Sequence, residues 1–150
     1  MKNIENALVI LAGGIGSRFS KNLPKQFTQI NGGNLINFFL ERIETNNFDI
    51  ILIVHKASHF KYISNLKNNF PSVKFLYARA GISRQLSSLN ALKVLDHYNP
   101  KSVLIHDAAR PFCSNKLIIR LIKQLKKSYS AIPYTLNNDM KISSKKEIDD

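Results

Sequence analysis

Cysteine and long apolar runs are scarce in this 150-residue chain, and each shortage excludes a class of protein. The single Cys113 excludes an internal disulfide framework, which fits a reducing compartment. No apolar run approaches the ~20 residues of a membrane-spanning helix, and the amino terminus lacks a secretory signal pattern. The four histidines are scattered and form no metal-binding spacing. We therefore expect a cytoplasmic protein with no membrane partner, folded as one domain.

Acidic residues are also scarce: 10 Asp and Glu stand against 22 Lys and Arg, for a net charge of +12. Such an excess is compatible with a nucleic-acid surface. The lysines are dispersed, however, and the densest cluster (Lys123, Lys126 and Lys127) lies on the polar face of a predicted helix. No motif that reads RNA or DNA is present. We interpret the charge as compositional drift together with attraction for anionic substrates, and expect no nucleic-acid partner.

Apolar runs alternate with amphipathic segments along the chain. The runs predict five short buried strands, at 7–11, 49–54, 73–77, 102–105 and 131–134. Such strands, separated by amphipathic helices, predict an α/β fold of three layers, with a mostly parallel sheet and helices on both faces. After Tyr134 the pattern fades into polar residues. The sequence therefore predicts a single domain over 1–150 whose sheet is truncated at the carboxyl end.

Four helices are predicted between the strands, three of them from capping residues. Asn34 caps a helix over 35–44, Ser58 caps a second, and Ser114 caps the last. The second helix has three inward residues, Phe60, Ile63 and Leu66. The third covers 83–95 and aligns four leucines, Leu86, Leu89, Leu92 and Leu95. The last has five inward residues, Leu117, Ile118, Leu121, Ile122 and Leu125.

A glycine loop follows the first predicted strand. Gly13, Gly14 and Gly16 occupy three of four positions, so the backbone can turn sharply and approach a ligand closely. Successive free N–H groups in such a turn form a concave anion site. Arg18 and Lys25 add positive charge beside it. The combination indicates a polyphosphate site.

Neither of two better-known glycine loops fits this segment. The phosphate loop G-x-x-x-x-G-K-[ST] is absent, because Lys25 follows Pro24 rather than a glycine. The dinucleotide fingerprint G-x-G-x-x-G begins at Gly14 but meets Phe19 where it needs glycine. The loop is therefore long and irregular, and the alternative interpretation is an ordinary strand-to-helix turn.

Two further polar segments follow predicted strands and so belong to the same carboxyl edge of the sheet. In the segment from His106 to Phe112, Asp107 lies at the edge, where a carboxylate near a phosphate loop commonly holds a divalent cation. Arg110 is placed either to contact phosphate or to pair with Asp107 in a purely structural ion pair. His106 is interpreted as a residue that orients the loop.

The other segment runs from Gly81 to Ser87 and begins the third predicted helix. Ser83 is a candidate N-cap. Arg84 and Ser87 lie three residues apart, so they share one helical face that points to the edge with the glycine loop.

Together these segments resemble the 2-C-methyl-D-erythritol 4-phosphate cytidylyltransferase family, whose relatives include ribitol-5-phosphate cytidylyltransferases. The matching segments are Leu11-Ala-Gly-Gly-Ile-Gly-Ser-Arg18, Pro24-Lys-Gln-Phe27, Gly81-x-x-Arg84-x-x-Ser87 and His106-Asp-Ala-Ala-Arg-Pro-Phe112. Their order and spacing match over residues 7 to about 135. The resemblance implies a Rossmann-like nucleotidyltransferase fold and an enzyme of isoprenoid precursor synthesis. Such an enzyme transfers CMP from CTP to a polyol phosphate with release of pyrophosphate, and is a homodimer in its full-length form.

The resemblance also implies residue roles. Arg18 and Lys25 would be catalytic, neutralising charge on the α-phosphate and the leaving pyrophosphate, and Asp107 would hold Mg²⁺ or another divalent cation. The CTP-binding residues would be Ala12, Gly13, Gly14, Ile15, Gly16, Ser17, Gly81, Ser87, Ala108 and Arg110. Within that set, Ala12, Gly13 and Ser87 would read the cytosine, and Ala108 would line the ribose pocket.

The chain departs from the family pattern at two places. Ala80-Gly81-Ile82 stands where the family usually has two glycines and then an acidic or small polar residue. Asp139 and Lys141 occupy the positions implied to contact the second substrate, but Asp139 replaces a threonine, and a carboxylate there would repel a phosphate. The family also continues beyond residue 150. We therefore expect the amino-terminal part of such an enzyme or a truncated relative, which binds nucleotide with weak or absent turnover.

Three alternatives stay open. One is another polyol- or sugar-phosphate nucleotidyltransferase, such as a ribitol-5-phosphate enzyme, which the Leu11-Ala-Gly-Gly14 form of the loop slightly favours. Another is a non-catalytic nucleotide-binding module. A third is a basic nucleic-acid-associated protein, which would show steeply salt-dependent DNA affinity.

Overall fold

A four-stranded parallel sheet forms the centre of the computed structural model, which describes residues 3–14, 23–30 and 32–134. Its strands are β1 (Asn6–Leu11), β4 (Ile50–His55), β5 (Lys74–Arg79) and β6 (Ser102–Asp107), in the order β5-β4-β1-β6. A two-stranded antiparallel ribbon lies between β1 and β4 in sequence, made of β2 (Gln29–Ile30) and β3 (Gly33–Asn34). The helices are α1 (Leu35–Arg42), α2 (Leu66–Asn69), α3 (Arg84–Asp96) and α4 (Asn115–Leu125).

The sheet separates two hydrophobic cores, because successive residues of a strand point to opposite faces. Leu8 and Ile10 of β1 belong to the core that includes Phe39 of α1 and residues of α4. Ala7 and Val9 belong to the core on the side of α3. Both central strands, β1 and β4, are therefore buried on both faces, as their continuous apolar runs predicted. The three-layer, mostly parallel α/β fold is confirmed.

Three of the predicted caps are present. The side-chain oxygen of Asn34 accepts hydrogen bonds from the backbone N–H groups of Ile36 (3.0 Å) and Asn37 (3.1 Å). Ser83 Oγ accepts from Leu86 N (3.1 Å), and Ser114 Oγ accepts from Leu117 N (3.2 Å). These bonds satisfy backbone donors that a helix leaves free in its first turn, and they set where α1, α3 and α4 begin.

The prediction of an α-helix capped by Ser58 is wrong. The segment instead forms a 3₁₀ helix over Ala57–Tyr62, followed by the single-turn α2. Ile63 and Leu66 are buried as expected, but Phe60 is 45% exposed. Ser and Asn side chains throughout this segment compete for backbone hydrogen bonds, and Pro71 follows closely, so a longer helix is disfavoured.

The leucine face predicted for α3 is wrong at three of its four residues, since only Leu95 is buried. Leu86, Leu89 and Leu92 are each more than 40% exposed, whereas the buried residues are Ser87, Ala91 and Leu95. Residues three apart in a helix are offset by about 60° around the helix axis at each step, whereas residues four apart are offset by a smaller angle and so stay on one face. Small side chains at Ser87 and Ala91 suit the side of α3 that packs on the sheet.

The fifth predicted strand is absent. Residues 131–134 have no regular structure and are mostly exposed. Pro133 lacks the N–H donor that a strand ladder needs. Within the described ranges, β6 pairs only with β1, so its other edge is free. Those same ranges contain no helix with the length and apolar character needed to cross a bilayer. That residues 1–150 form one incomplete domain stays a prediction.

Candidate functional site

The carboxyl ends of the four parallel strands meet around a cavity of about 620 Å³. The segment after β1 contributes Gly13 and Gly14, the segment after β5 contributes the run from Ala80 to Arg84 together with Ser87, and the end of β6 contributes Asp107 and Arg110. Lys56, directly after β4, also lines it. In parallel sheets this edge is where ligands bind. Three segments singled out in the sequence thus share one cavity.

Backbone hydrogen bonds continue the sheet for one residue beyond the strands and so hold the loops in register. Ala12 N donates to the carbonyl of Val54 (2.8 Å), and Ala80 N donates to that of His55 (2.9 Å). Ala108 N donates to the carbonyl of Leu11 (3.1 Å). The three loops therefore start from a rigid base, which gives the cavity a defined shape.

Gly13 and Gly81 are required by close packing. A Cβ added at Gly13 would overlap the Cβ of Ala80, and one added at Gly81 would lie 2.5 Å from the Cβ of Leu86. A Cβ at Gly14 would meet nothing within 4 Å. The loops after β1 and β5 therefore touch across the end of β4, and beside this contact the cavity is lined by backbone and methyl groups.

Gln26 holds the glycine loop from beneath, a role that the sequence alone did not indicate. Its buried side chain donates from Nε2 to the carbonyls of Ala12 (2.8 Å) and Gly14 (2.7 Å). With those carbonyls taken, the loop is fixed in one orientation. The only sequence signal is a polar residue beside Phe27, which is itself fully buried.

Lys25, the neighbour of Gln26, lines a second and larger groove of about 1220 Å³ that runs along β6 and α4. Arg84, Asp107 and Arg110 line both spaces. A cation predicted at the phosphate loop therefore lines the larger groove, which shares Arg84, Asp107 and Arg110 with the smaller cavity.

Asp107 is held between two arginines. Arg84 Nε donates to its Oδ1 (3.1 Å), and Arg110 Nε lies 3.3 Å from its Oδ2. Of the two alternatives for Arg110, the structure has the ion pair with Asp107. The arginine side chains are 59% and 80% exposed, so these pairs contribute little stability and are available to an anionic ligand. The described residues contain no cluster of three metal-ligating side chains.

His106 orients the loop after β6, as expected. Because a carbonyl oxygen only accepts, His106 Nε2 carries the proton that is donated to Arg110 O (2.9 Å). The imidazole stacks on Phe39 with ring centroids 4.2 Å apart. Burial lowers the pKa of His106 below its ordinary value, against the raising effect of that hydrogen bond. A neutral ring that is fixed on both sides suits positioning rather than proton transfer.

The remaining predicted residues have different positions. Ser87 is buried, and its Oγ accepts a hydrogen bond from Gly81 N (3.0 Å), so it shapes the loop after β5. Ala12 and Ala108 are buried, and Ala109 is the alanine that lines the cavity. Six predicted residues lie outside the described part of the chain: Ile15, Gly16, Ser17, Arg18, Asp139 and Lys141.

Comparison with known proteins identifies the relatives of this chain. The 2-C-methyl-D-erythritol 4-phosphate cytidylyltransferase (IspD) family profile matches residues 6–148. The cytidylyltransferase of that name from Thermosipho melanesiensis is 35% identical over 129 residues, which are 85% of this chain and 56% of the relative. The bifunctional enzyme IspD/IspF of Pelagibacter ubique is 35% identical over 131 residues, 87% of this chain and 34% of that protein. The chain thus spans about half the length, or less, of these relatives.

A solved structure supports the fold. The 4-diphosphocytidyl-2C-methyl-D-erythritol synthase of Anaerococcus prevotii superposes with a TM-score of 0.67 at 22% identity, covering 93% of this chain and 63% of that one. The profile match over nearly the whole chain is the stronger finding, because it extends across all three loops that form the cavity. On that evidence, the chain belongs to the 2-C-methyl-D-erythritol 4-phosphate cytidylyltransferase family.

Proposed function

We propose that this chain carries the CTP site of an enzyme that transfers CMP to 2-C-methyl-D-erythritol 4-phosphate. The observation that carries the proposal is the 620 Å³ cavity, which has charged residues around Asp107 and another part lined by the small residues Gly13, Ala80 and Gly81. A triphosphate needs cations and backbone donors, and a pyrimidine ring needs a flat slot. Family membership supports assigning the two ends in this way.

The reaction is a single displacement. An oxygen of the polyol phosphate forms a bond to the α-phosphorus of CTP, the bond from that phosphorus to the α–β bridging oxygen breaks, and pyrophosphate leaves. Arg84 and Arg110 are placed to neutralise the phosphate oxygens, and Lys25 adds a positive charge nearby. Such catalysis depends mainly on positioning and electrostatic stabilisation. The assigned role of Arg18 stays a prediction.

Asp107 fits a magnesium site of the kind that uses one carboxylate together with substrate phosphates and water. Its carboxylate is part-exposed at the cavity wall, and its present partners are exposed arginines. When bound, the cation would supply charge neutralisation on the triphosphate. In that state Arg84 and Arg110 would exchange the carboxylate for phosphate oxygens.

The second substrate is proposed from the family alone, with Asp139 and Lys141 as its predicted contacts. Ribitol 5-phosphate is the alternative acceptor. The cytoplasm and a homodimeric full-length form are part of the same proposal.

Calorimetric titration of CTP with Mg²⁺ into the full chain and its Asp107→Asn variant tests the site. We expect magnesium-dependent binding by the wild type and a loss of at least about tenfold in the variant, since even residues that only support metal ligands cost 10–100-fold. Asp96→Asn, at the far end of α3, is the matched control and should bind like the wild type. No binding to folded wild-type chain would refute the proposal.

A pyrophosphate-release assay then separates the acceptors. Turnover with methylerythritol phosphate supports the proposed reaction, and turnover with ribitol phosphate alone supports the alternative enzyme. Binding without turnover with either acceptor is the result expected both of the amino-terminal part of such an enzyme and of a nucleotide-binding module.

A further inference from the structure

The cavity has two chemically different ends, and the strand order separates them. Asp107 ends β6, whereas Lys56 follows β4, and β1 lies between these two strands. Neighbouring strands are about 4.8 Å apart, so the backbones at these positions are separated by roughly 10 Å. Lys56 and the Asp107 carboxylate therefore line the cavity on opposite sides of β1.

The backbone of Lys56 is anchored on two sides. Its carbonyl accepts a hydrogen bond from His59 N (2.9 Å), and His55 Nδ1 lies 2.8 Å from the same oxygen, which makes that nitrogen a second donor. The hydrogen bonds from Ala12 and Ala80 to β4 hold the loops on either side. A long cationic side chain thus extends from a fixed point between the loops after β1 and β5.

Small residues line the cavity beside Lys56. The walls on this side are Gly13, Ala80 and Gly81, with no side chain larger than a methyl group among the three. Among the described residues that line the cavity, the only carboxylate is Asp107, at the other end. No ion pair joins Lys56 to any described acidic residue. Its ammonium is available to a ligand in this part of the cavity.

We propose, resting on the proposed CTP site, that Lys56 is a specificity-determining residue that contacts the cytosine. An ammonium offers only donors. Cytosine presents two adjacent acceptors, N3 and O2, whereas uracil presents an N3–H donor at the first of these positions. Lys56 therefore favours cytosine over uracil.

Three ligands, each titrated with Mg²⁺ into the full chain, test this assignment: CTP, UTP and inorganic tripolyphosphate. Lys56→Met keeps the length of the side chain and removes its charge and donors. We expect a ten- to hundredfold loss of CTP affinity, roughly the value of a hydrogen bond from a charged group. The loss for UTP should be smaller, and tripolyphosphate affinity should be unchanged.

Two further variants control for charge and folding. Lys56→Arg keeps a cationic donor and should retain most of the preference for CTP. Lys67→Met removes an exposed lysine on α2, which precedes the amino end of β5 at the opposite edge of the sheet, and should change nothing. Thermal melts confirm that each variant is folded.

Each outcome decides the assignment. Equal losses for CTP and tripolyphosphate would show that Lys56 contacts phosphate, and would overturn a contact with the base. Unchanged CTP affinity in Lys56→Met would overturn any role for Lys56 while leaving the CTP site intact. Failure of the folded wild-type chain to bind CTP would overturn both the site and this inference.

Discussion

The packing of the glycine loop against the loop after β5 leads to a quantitative prediction at Gly13. A methyl group there would occupy the same space as the Cβ of Ala80, so Gly13→Ala forces the two loops apart. Overpacking of this kind costs about 1–3 kcal/mol. At about 2–4 °C per kcal/mol for a chain of this size, this steric cost should lower the Tm by about 2–12 °C relative to a glycine-to-alanine change without the clash.

Gly14→Ala is the matched control, because its new Cβ would meet nothing within 4 Å. Replacing glycine by alanine also reduces the entropy of the unfolded chain, which stabilises by about 0.4–1 kcal/mol where the backbone allows it. That gain applies to both variants. The difference in Tm between them therefore isolates the steric cost at Gly13.

Ala80→Gly provides the rescue. In the Gly13→Ala background it removes the methyl group that the new Cβ meets, so the double variant should recover part of the lost stability. Adjacent residues of this kind couple by about 0.5–3 kcal/mol. Urea and thermal unfolding of the wild type, Gly13→Ala, Ala80→Gly and the double variant measure the coupling free energy between the two positions. If Gly13→Ala melts like Gly14→Ala, or if Ala80→Gly rescues nothing, the contact between these loops is refuted.

Three other predictions concern residues around the same edge. Asp107→Asn should lower stability only slightly, since exposed ion pairs contribute about 0.2–1 kcal/mol each; a large drop in Tm would instead make Asp107 a structural residue. Gln26→Leu should cost about 1–3 kcal/mol in urea unfolding, because the carbonyls of Ala12 and Gly14 lose their donor. Gln26→Glu should be at least as destabilised, because at neutral pH its carboxylate can only accept hydrogen bonds. A stable Glu variant would contradict the hydrogen bonds from Gln26 to the carbonyls of Ala12 and Gly14. Burial lowers the pKa of His106 from its ordinary value of 6.5, so on acidification the unfolded chain takes up this proton before the folded chain does. The contribution of His106 to stability is therefore fully present above about pH 6.5 and is lost as the pH falls toward the folded-state pKa. His106→Gln should flatten the decline in Tm between about pH 7 and 5, and an unchanged slope would count against this cause.

Local patterns predicted the architecture of this chain well. The apolar runs of β1 and β4 are continuous because these strands are buried on both faces, and such runs are visible in the sequence. Asn34, Ser83 and Ser114 cap their own helices through neighbours two or three residues away. Asp107 follows a strand directly, so its place at the carboxyl edge follows from the parallel sheet.

Predictions failed where the outcome depends on contacts with distant parts of the chain. The buried face of α3 is decided by the sheet it packs on, which selects Ser87 and Ala91 rather than Leu86, Leu89 and Leu92. Residues 131–134 form no strand, because apolar character alone supplies no neighbour for pairing and Pro133 removes a donor. The predicted roles of Arg18, Asp139 and Lys141 stay predictions.

The sequence by itself determined the alternation of strands and helices, the caps and the edge at which the polar loops gather, because each of these depends on residues close together in the chain. Only the tertiary structure decided which side chains meet there. The strand order β5-β4-β1-β6 separates Lys56 from Asp107 by one strand, and packing brings Gly13 onto Ala80 and the Gln26 amide under the glycine loop. These contacts join residues far apart in sequence, and they form only when the whole sheet and both of its hydrophobic cores are assembled.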